Sequence, residues 1–332
     1  MIAPTTKKNR IVIVDANNLG YAAFFAHKRL NYDTSRFFMN KHGQKIYRLS
    51  TKSIALIFGL PEMIRKLIKD LNPDELILCW DGSVHKERMK LNPNYKGHRK
   101  ENFQYDRKNF HYQKKRVMRL FYILGIKQVH HPDMEADDFI YMLTEKYRAD
   151  TNNQVVIVSR DKDFFQLIKK NVVIWDTYQV HSTGFTTKKT LKNPKLFKSS
   201  IPQNYGYYPK QGVDYLSLVG DKSDDIPGYH GIGHIRTLAF LKKHSSIKKF
   251  INSDAEHSLI DKKKLAKLWK LNRMLIGLRL FFNKFIKDKI DITYYRGKPN
   301  PQFRLKKLHQ YCDKYNLKTF RKEGFIEIYK NL

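Results

Sequence analysis

Asp133-Met134-Glu135-Ala136-Asp137-Asp138, running straight into Phe139-Ile140-Tyr141-Met142-Leu143, is the stretch from which the chain is best read. It lies behind Pro132 and ahead of an apolar run, the pattern of the first turn of a buried helix. Acids suit that position, because the helix N-terminus carries a partial positive charge worth about a few tenths of a kcal/mol to each carboxylate. That accounts for one or two of them. Four carboxylates in six residues repel one another unless a cation sits between them, and hard divalent cations such as Mg²⁺ take carboxylate oxygens and water. The turn reads as one wall of a metal site, with the other walls and the substrate surface supplied elsewhere.

Working outward, residues 125–129 form a short strand leading into that turn. Ile11-Val12-Ile13-Val14 has the β-branched pattern of a strand buried on both faces, and residues 76–80, 154–159 and 172–175 repeat it. Between them lie helical stretches, the longest at about 52–71 with apolar residues at 54, 57, 60, 64, 67, 68 and 71. Strands alternate with helices through residue 175, which predicts an α/β fold, a mostly parallel central sheet flanked by helices. Asp15, Asp81 and Asp161 each follow a strand closely, and in such a sheet the strand C-termini converge on one rim where ligands bind. A single strand-end Asp is more often a turn former or helix cap. Three of them together with Glu135 and Asp137 argue for one common site. Asp163, two residues from Asp161, and the pair Asp221 and Asp224 are spaced to join it.

The chain has 332 residues, enough for a large α/β domain and a smaller module. Its 64 Lys+Arg against 31 Asp+Glu, a formal charge of +33, imply a polyanionic partner. Cys79 and Cys312 form no paired framework, as expected of a reduced, intracellular protein. No signal peptide and no apolar run of the ~20 residues needed to cross a bilayer is seen. A dense set of acids within so basic a protein has an economical use. Two divalent ions ~3.5–4 Å apart can clamp the attacking and leaving oxygens of a phosphoryl displacement, so the expected chemistry is phosphodiester hydrolysis by water.

Residues 83–116 carry eleven Lys/Arg and three acids, interleaved with Tyr95, Phe103, Tyr105, Phe110 and Tyr112. Their apolar content looks too thin for a core element, and they read as a surface for a nucleic-acid strand, with aromatic faces for bases. Residues 176–210 look like a hairpin and connector. Gly231-Ile232-Gly233, between helices at 213–219 and 234–243, suggests a helix–hairpin–helix that brings backbone N–H groups to a phosphate, with His234, Arg236, Lys242 and Lys243 beside it. The last 40 residues are basic and mixed and carry no readable motif.

Taken in order, Asp15-Ala16-Asn17-Asn18-Leu19-Gly20, Asn94-Tyr95-Lys96-Gly97-His98-Arg99, Glu135-Ala136-Asp137-Asp138, Ser159-Arg160-Asp161-Lys162-Asp163 and Gly220-Asp221-Lys222-Ser223-Asp224-Asp225-Ile226-Pro227-Gly228 resemble the 5′-nuclease superfamily. These are the flap endonucleases, the 5′→3′ exonuclease domains of bacterial DNA polymerase I, and stand-alone bacteriophage members including the phage enzymes called RNase H. The resemblance implies a PIN-like nuclease core at 1–180 with a helical arch at 83–116. A connector with the helix–hairpin–helix follows at 181–250, then a basic, mainly helical part at 251–332 packing on the core. It implies a first metal site at Asp15, Asp81, Glu135 and Asp137 and a second at Asp161, Asp163, Asp221 and Asp224, with Asp138 nearby. Two or more Mg²⁺ ions would be held there, replaceable by Mn²⁺, with K⁺ at the helix–hairpin–helix. Catalysis would fall to Tyr95, Lys96, Asp15, Asp81 and Asp161. DNA contacts would come from Lys86, Arg88, Tyr95, Lys96, Arg99 and Lys100, and from Gly231, Gly233, His234 and Arg236. The implied partners are DNA with a 5′ flap or 5′ end, or an RNA–DNA hybrid, with a single-stranded-DNA-binding protein or other replisome components. The protein would be a cytoplasmic monomer, in the host cytoplasm if phage-encoded. Two departures are visible. Tyr21-Ala22-Ala23 stands where a basic residue is common, and Asp225 where Asn is usual. The competing readings are a non-catalytic DNA-binding replication protein, whose acids would be caps and turns, and a PIN-like ribonuclease, which would need fewer acids.

Overall fold

The computed structural model describes residues 8–33, 36–39, 43, 45–48, 51–97, 104–176, 189–191, 205–287 and 302–332. The chain opens with strand β1 (Asn9–Asp15), whose residues 11–14 are buried as their β-branched run requires. Helix α1 (Ala16–Ala26) follows, then β2 (Asn31–Asp33) paired antiparallel with β5 (Thr51–Ser53), and β3 (Arg36–Met39) paired with β4 (Lys45–Arg48). Helix α2 (Ala55–Leu71) buries its i, i+3/i+4 apolar stripe and stops at Asn72, which takes the left-handed φ of 42°. Next come β6 (Glu75–Trp80), the short α3 (Lys86–Leu91), α4 (Gln104–Ile123), β7 (Lys127–His130), α5 (Ala136–Arg148) and β8 (Asn153–Val158). A 3₁₀ turn at Lys162–Leu167, β9 (Val172–Asp176) and β10 (Lys189–Leu191) continue the chain. Helices α6 (Gly212–Val219), α7 (His234–His244), α8 (Ile247–Ile251), α9 (Lys262–Ile276) and α10 (Leu278–Phe281) follow, with α11 (Leu305–Tyr315) and α12 (Glu323–Lys330) at the end.

The central sheet has the strand order β10-β9-β8-β1-β6-β7. β1 runs parallel to β8 with Ile13 opposite Ile157, and β8 runs parallel to β9 with Val156 opposite Val173; β10 is an antiparallel edge. All five strands expected from the sequence are present. The chain divides into two compact units. The first is Met1–Asp15, Cys79–Asn102 and Val129–Thr293; the second is Ala16–Leu78, Phe103–Gln128 and Tyr294–Leu332. These units interleave along the chain, because parallel strands need long crossovers that leave and return.

One expectation fails outright. Residues 104–116 are not too poor in apolar contacts for the core: they belong to α4, where Phe110 and Gln113 are fully buried and Lys114 nearly so. The Phe110 ring stacks 3.9 Å from that of Tyr21, and the Gln113 side-chain oxygen accepts the Leu56 N–H at 2.9 Å at the start of α2. The end of the chain, unreadable in sequence, also docks in the second unit. Phe320 stacks between Phe58 (5.5 Å) and Phe325 (4.2 Å), and the Tyr329 hydroxyl donates to the Pro61 carbonyl. Among the described residues no helix is long and apolar enough to cross a membrane.

A carboxylate cluster as candidate active site

Every expected metal ligand lies in the first unit, at the C-terminal ends of β1, β6 and β8, at the start of α5, or in the turn after α6. Asp81, one residue past β6, accepts the Ala136 N–H at 2.8 Å and so joins that strand to the first turn of α5. Gly82 tightens the junction, its N–H donating to the Met134 carbonyl at 2.7 Å. Asp15, ending β1, accepts the Ser159 hydroxyl at 3.1 Å, and the same hydroxyl accepts the Asp161 N–H at 3.1 Å. Ser159 therefore locks two strand-end acids together, a role missed in sequence although a polar residue at the end of an apolar strand was a signal for it. Asp161 caps the 3₁₀ turn through the Asp163 N–H at 2.9 Å. After α6 the backbone closes on itself between Asp221 and Ile226, and Gly220 takes the positive φ of 79° that this reversal demands. The Ser223 N–H and hydroxyl both donate to Asp221.

Lys96 joins the two groups of acids. Its backbone has φ +57° and its N–H donates to the Asp224 carbonyl at 3.1 Å. Its ammonium bonds Glu135 and lies 3.6 Å from Asp224. The Tyr95 hydroxyl donates to Asp224 at 3.1 Å. Burial works against the Lys96 charge, but Glu135, Tyr95, Asp224 and Asp137 outweigh it and carry its pKa well above the usual lysine range. The carboxylates repel one another in return. Burial first, then Asp161, Asp15 and Glu135, push the Asp137 pKa well up against the pull of Lys96. Burial, Asp161, Asp224 and Asp221 do the same to Asp163, and burial raises Asp161. Cys79, buried at the end of β6, is likewise raised by burial and by Asp15, Asp137 and Asp81.

Three expected residues have different surroundings from those anticipated. Arg88 is 1 % exposed and cannot lie on a DNA-facing surface. Its guanidinium makes a forked pair with Asp138 (2.7 and 2.9 Å), reaches Glu135 at 2.7 Å and rests 3.8 Å over the Phe281 ring. Asp138, fully buried on that pair, faces Arg88 and not the cluster. Tyr95 is 5 % exposed, so its ring offers no open face to a base. Lys86, Gly231, Gly233, His234 and Arg236 are exposed. In the turn before α7, Arg236 donates to the Gly231 carbonyl at 2.6 Å. Arg99 and Lys100 lie outside the described residues.

Among the described residues no three His, Cys, Asp or Glu side chains are packed closely enough to hold one ion as they stand. The donor chemistry nevertheless fits hard divalent cations. It consists of carboxylate oxygens held by backbone and hydroxyl donors, which raise one another's pKa and are spanned by a single ammonium.

The family described as 5′-3′ exonuclease, N-terminal resolvase-like domain, matches residues 10–198. A 5′-3′ exonuclease of Buchnera aphidicola is 31 % identical over 251 residues, covering 75 % of this chain and 76 % of its own length. One from Mycoplasmopsis pulmonis is 28 % identical over 96 % of this chain and 95 % of its own. A DNA polymerase I of Caldicellulosiruptor bescii is 29 % identical over 76 % of this chain but only 27 % of that enzyme. Among solved structures, the T5 5′-exonuclease with bound zinc has a TM-score of 0.62 at 18 % identity, covering 82 % of this chain and 91 % of its own. Flap endonuclease-1 from Methanococcus jannaschii has a TM-score of 0.53 at 13 % identity, covering 98 % and 92 %. The chain belongs to the 5′-3′ exonuclease family of the 5′-nuclease superfamily, and with it to the hydrolases of phosphodiester bonds.

Proposed function

We propose that this chain is a Mg²⁺-dependent, structure-selective 5′ nuclease acting near the junction of a 5′ single strand and a duplex and leaving a 5′-phosphate. The observation that carries the reading is the Lys96 ammonium set between Glu135 and Asp224, a buried positive charge within a set of carboxylates. Asp15, Asp81, Glu135 and Asp137 would hold one divalent ion and Asp161, Asp163, Asp221 and Asp224 another. Bound there, such ions neutralise the acids and supply the Lewis acidity for attack of water on phosphorus. The chain's own part is positional. Lys96 leaves the carboxylates to meet the scissile phosphate, Tyr95 keeps Asp224 oriented, and Arg88 holds Glu135 in place from behind. Gly231 and Gly233 offer exposed backbone and Arg236 an exposed guanidinium, with His234 beside them, to the phosphates of a duplex, and that turn would also hold K⁺. The setting is replication or repair in the cytoplasm, with RNA-primed 5′ ends among the substrates and a single-stranded-DNA-binding protein as partner.

Asp161→Asn is the decisive variant. On a 5′-flap DNA and its RNA-primed equivalent, wild-type protein should cleave with Mg²⁺ and not with EDTA. Asp161→Asn should lose cleavage by about 10³-fold or more while retaining DNA affinity, since removing a carboxylate deletes no cationic contact. Parallel loss of binding and cleavage would count against the assignment.

A further inference from the structure

The second unit contains a cavity of about 660 Å³ that shares no residue with the carboxylate cluster. Lys115, Arg116 and Arg119 of α4 line one side, and Arg304, Lys307 and Lys314, on and beside α11, line the other. No acidic side chain lines it. Among the described residues none of these six cations is ion-paired, whereas Arg65, Lys90, Lys127, Arg148 and Arg321 each meet a carboxylate nearby. Two of the guanidiniums are held in place by aromatic rings. Arg116 lies 3.3 Å over Tyr112 and donates to its carbonyl at 2.6 Å, and Arg304 lies 5.1 Å over Tyr122. Six like charges drawn around one hollow repel one another unless a polyanion lies among them.

We infer that this cavity is a binding site for a single strand of nucleic acid, gripping its phosphates between α4 and α11. Two observations choose that occupant over an acidic peptide or a duplex. A peptide anchor needs apolar wall, and Ile123 is the one aliphatic residue of the lining; the rest are cations, tyrosines and Gln310. A space of 660 Å³, about 11 Å across were it a sphere, is no wider than the major groove of a duplex, ~12 Å, so a whole double helix does not enter it. The grip is sequence-independent, because it is made to phosphates. The site concerns binding alone and stands whether or not the carboxylate cluster cleaves.

The test is anisotropy of fluorescein-labelled oligo(dT)₁₂ with the full chain in EDTA, where no cleavage intervenes. Arg119→Glu/Lys307→Glu should weaken binding about tenfold or more at moderate salt and lower the salt slope by about 1.4, two cations at ~0.7 each. Lys263→Glu/Lys267→Glu, the same charge change on exposed positions of α9, should weaken it about threefold or less. Arg119→Gln/Lys307→Gln, a milder change with its fold checked by circular dichroism, should fall between. Equal losses from the α9 and cavity variants would reduce the effect to overall charge and overturn the proposal. So would a blunt-ended duplex that loses affinity as much as oligo(dT)₁₂. Displacement of oligo(dT)₁₂ by oligo-glutamate at equal concentration would assign the cavity to acidic peptides instead.

Discussion

Arg88 is where the residue scale is most demanding. Its charge is buried against Asp138 and Glu135, so deleting it strands a fully buried carboxylate. Breaking one partner of such a pair costs about 3–5 kcal/mol, whereas replacing both by apolar groups of similar volume is often neutral. Arg88→Met should therefore lose roughly that much in chemical denaturation, and Arg88→Met/Asp138→Leu should recover most of it; a stable single variant would refute the buried pairing. Asp163 makes the opposite case. Burial and its acidic neighbours hold its pKa above the unfolded value, so the native state keeps the proton more tightly. Its unfavourable contribution grows as pH rises from the unfolded pKa through the folded one and is fully present above the latter. In chelating buffer at pH 8, Asp163→Asn should melt a few °C higher than wild type, on the order of 2–4 °C per kcal/mol for a unit of this size. The gap should close towards acid. A lower melting temperature at pH 8 would remove the mutual repulsion from the account.

At the scale of elements, the rim depends on how closely β6 approaches α5. A Cβ on Gly82 would fall 2.0 Å from the His131 carbonyl and 2.5 Å from that of Pro132, backbone atoms that cannot yield without moving the junction. Gly82→Ala should cost about 1–3 kcal/mol, pull Asp81 off the Ala136 N–H and reduce Mg²⁺-dependent cleavage out of proportion to that cost. Unchanged melting and cleavage together would show that the contact relaxes freely. The elements also show why some were legible. The strands at 11–14, 76–80 and 154–158 announce themselves because buried parallel strands are apolar on both faces. Helix α4 was legible only from Val117 onward, because Lys108, Lys114, Lys115 and Arg116 crowd the stretch that holds Phe110 and Gln113. The i, i+3/i+4 stripe is there but is diluted by charge. The small pairings β2–β5 and β3–β4 carry no periodic signal at three or four residues each.

Over the whole molecule, each compact unit gathers segments far apart in sequence, and the last 30 residues are part of that assembly. Phe320 is fully buried between Phe58 and Phe325, tying residues about 260 positions apart. Phe320→Ala should cost about 3–5 kcal/mol, read as an earlier denaturation midpoint; a change under about 1 kcal/mol would mean the chain end is not integral to its unit. The charge of +33 acts at this scale too, since it raises affinity for any polyanion and makes every nucleic-acid measurement salt-dependent.

The amino-acid order alone determined the alternation of strands and helices and the placing of acids just past strand ends. Both are local properties, set by the spacing of apolar residues and by the residue that follows each run. Which acids face one another was settled only when the segments folded together. Asp137 and Asp138 are neighbours in the chain, yet a helix turns adjacent side chains about 100° apart. One therefore feels Asp161 and Asp15 across the rim while the other is buried against Arg88. That divergence depends on where α3 brings its arginine, a contact across 50 residues that no local pattern encodes.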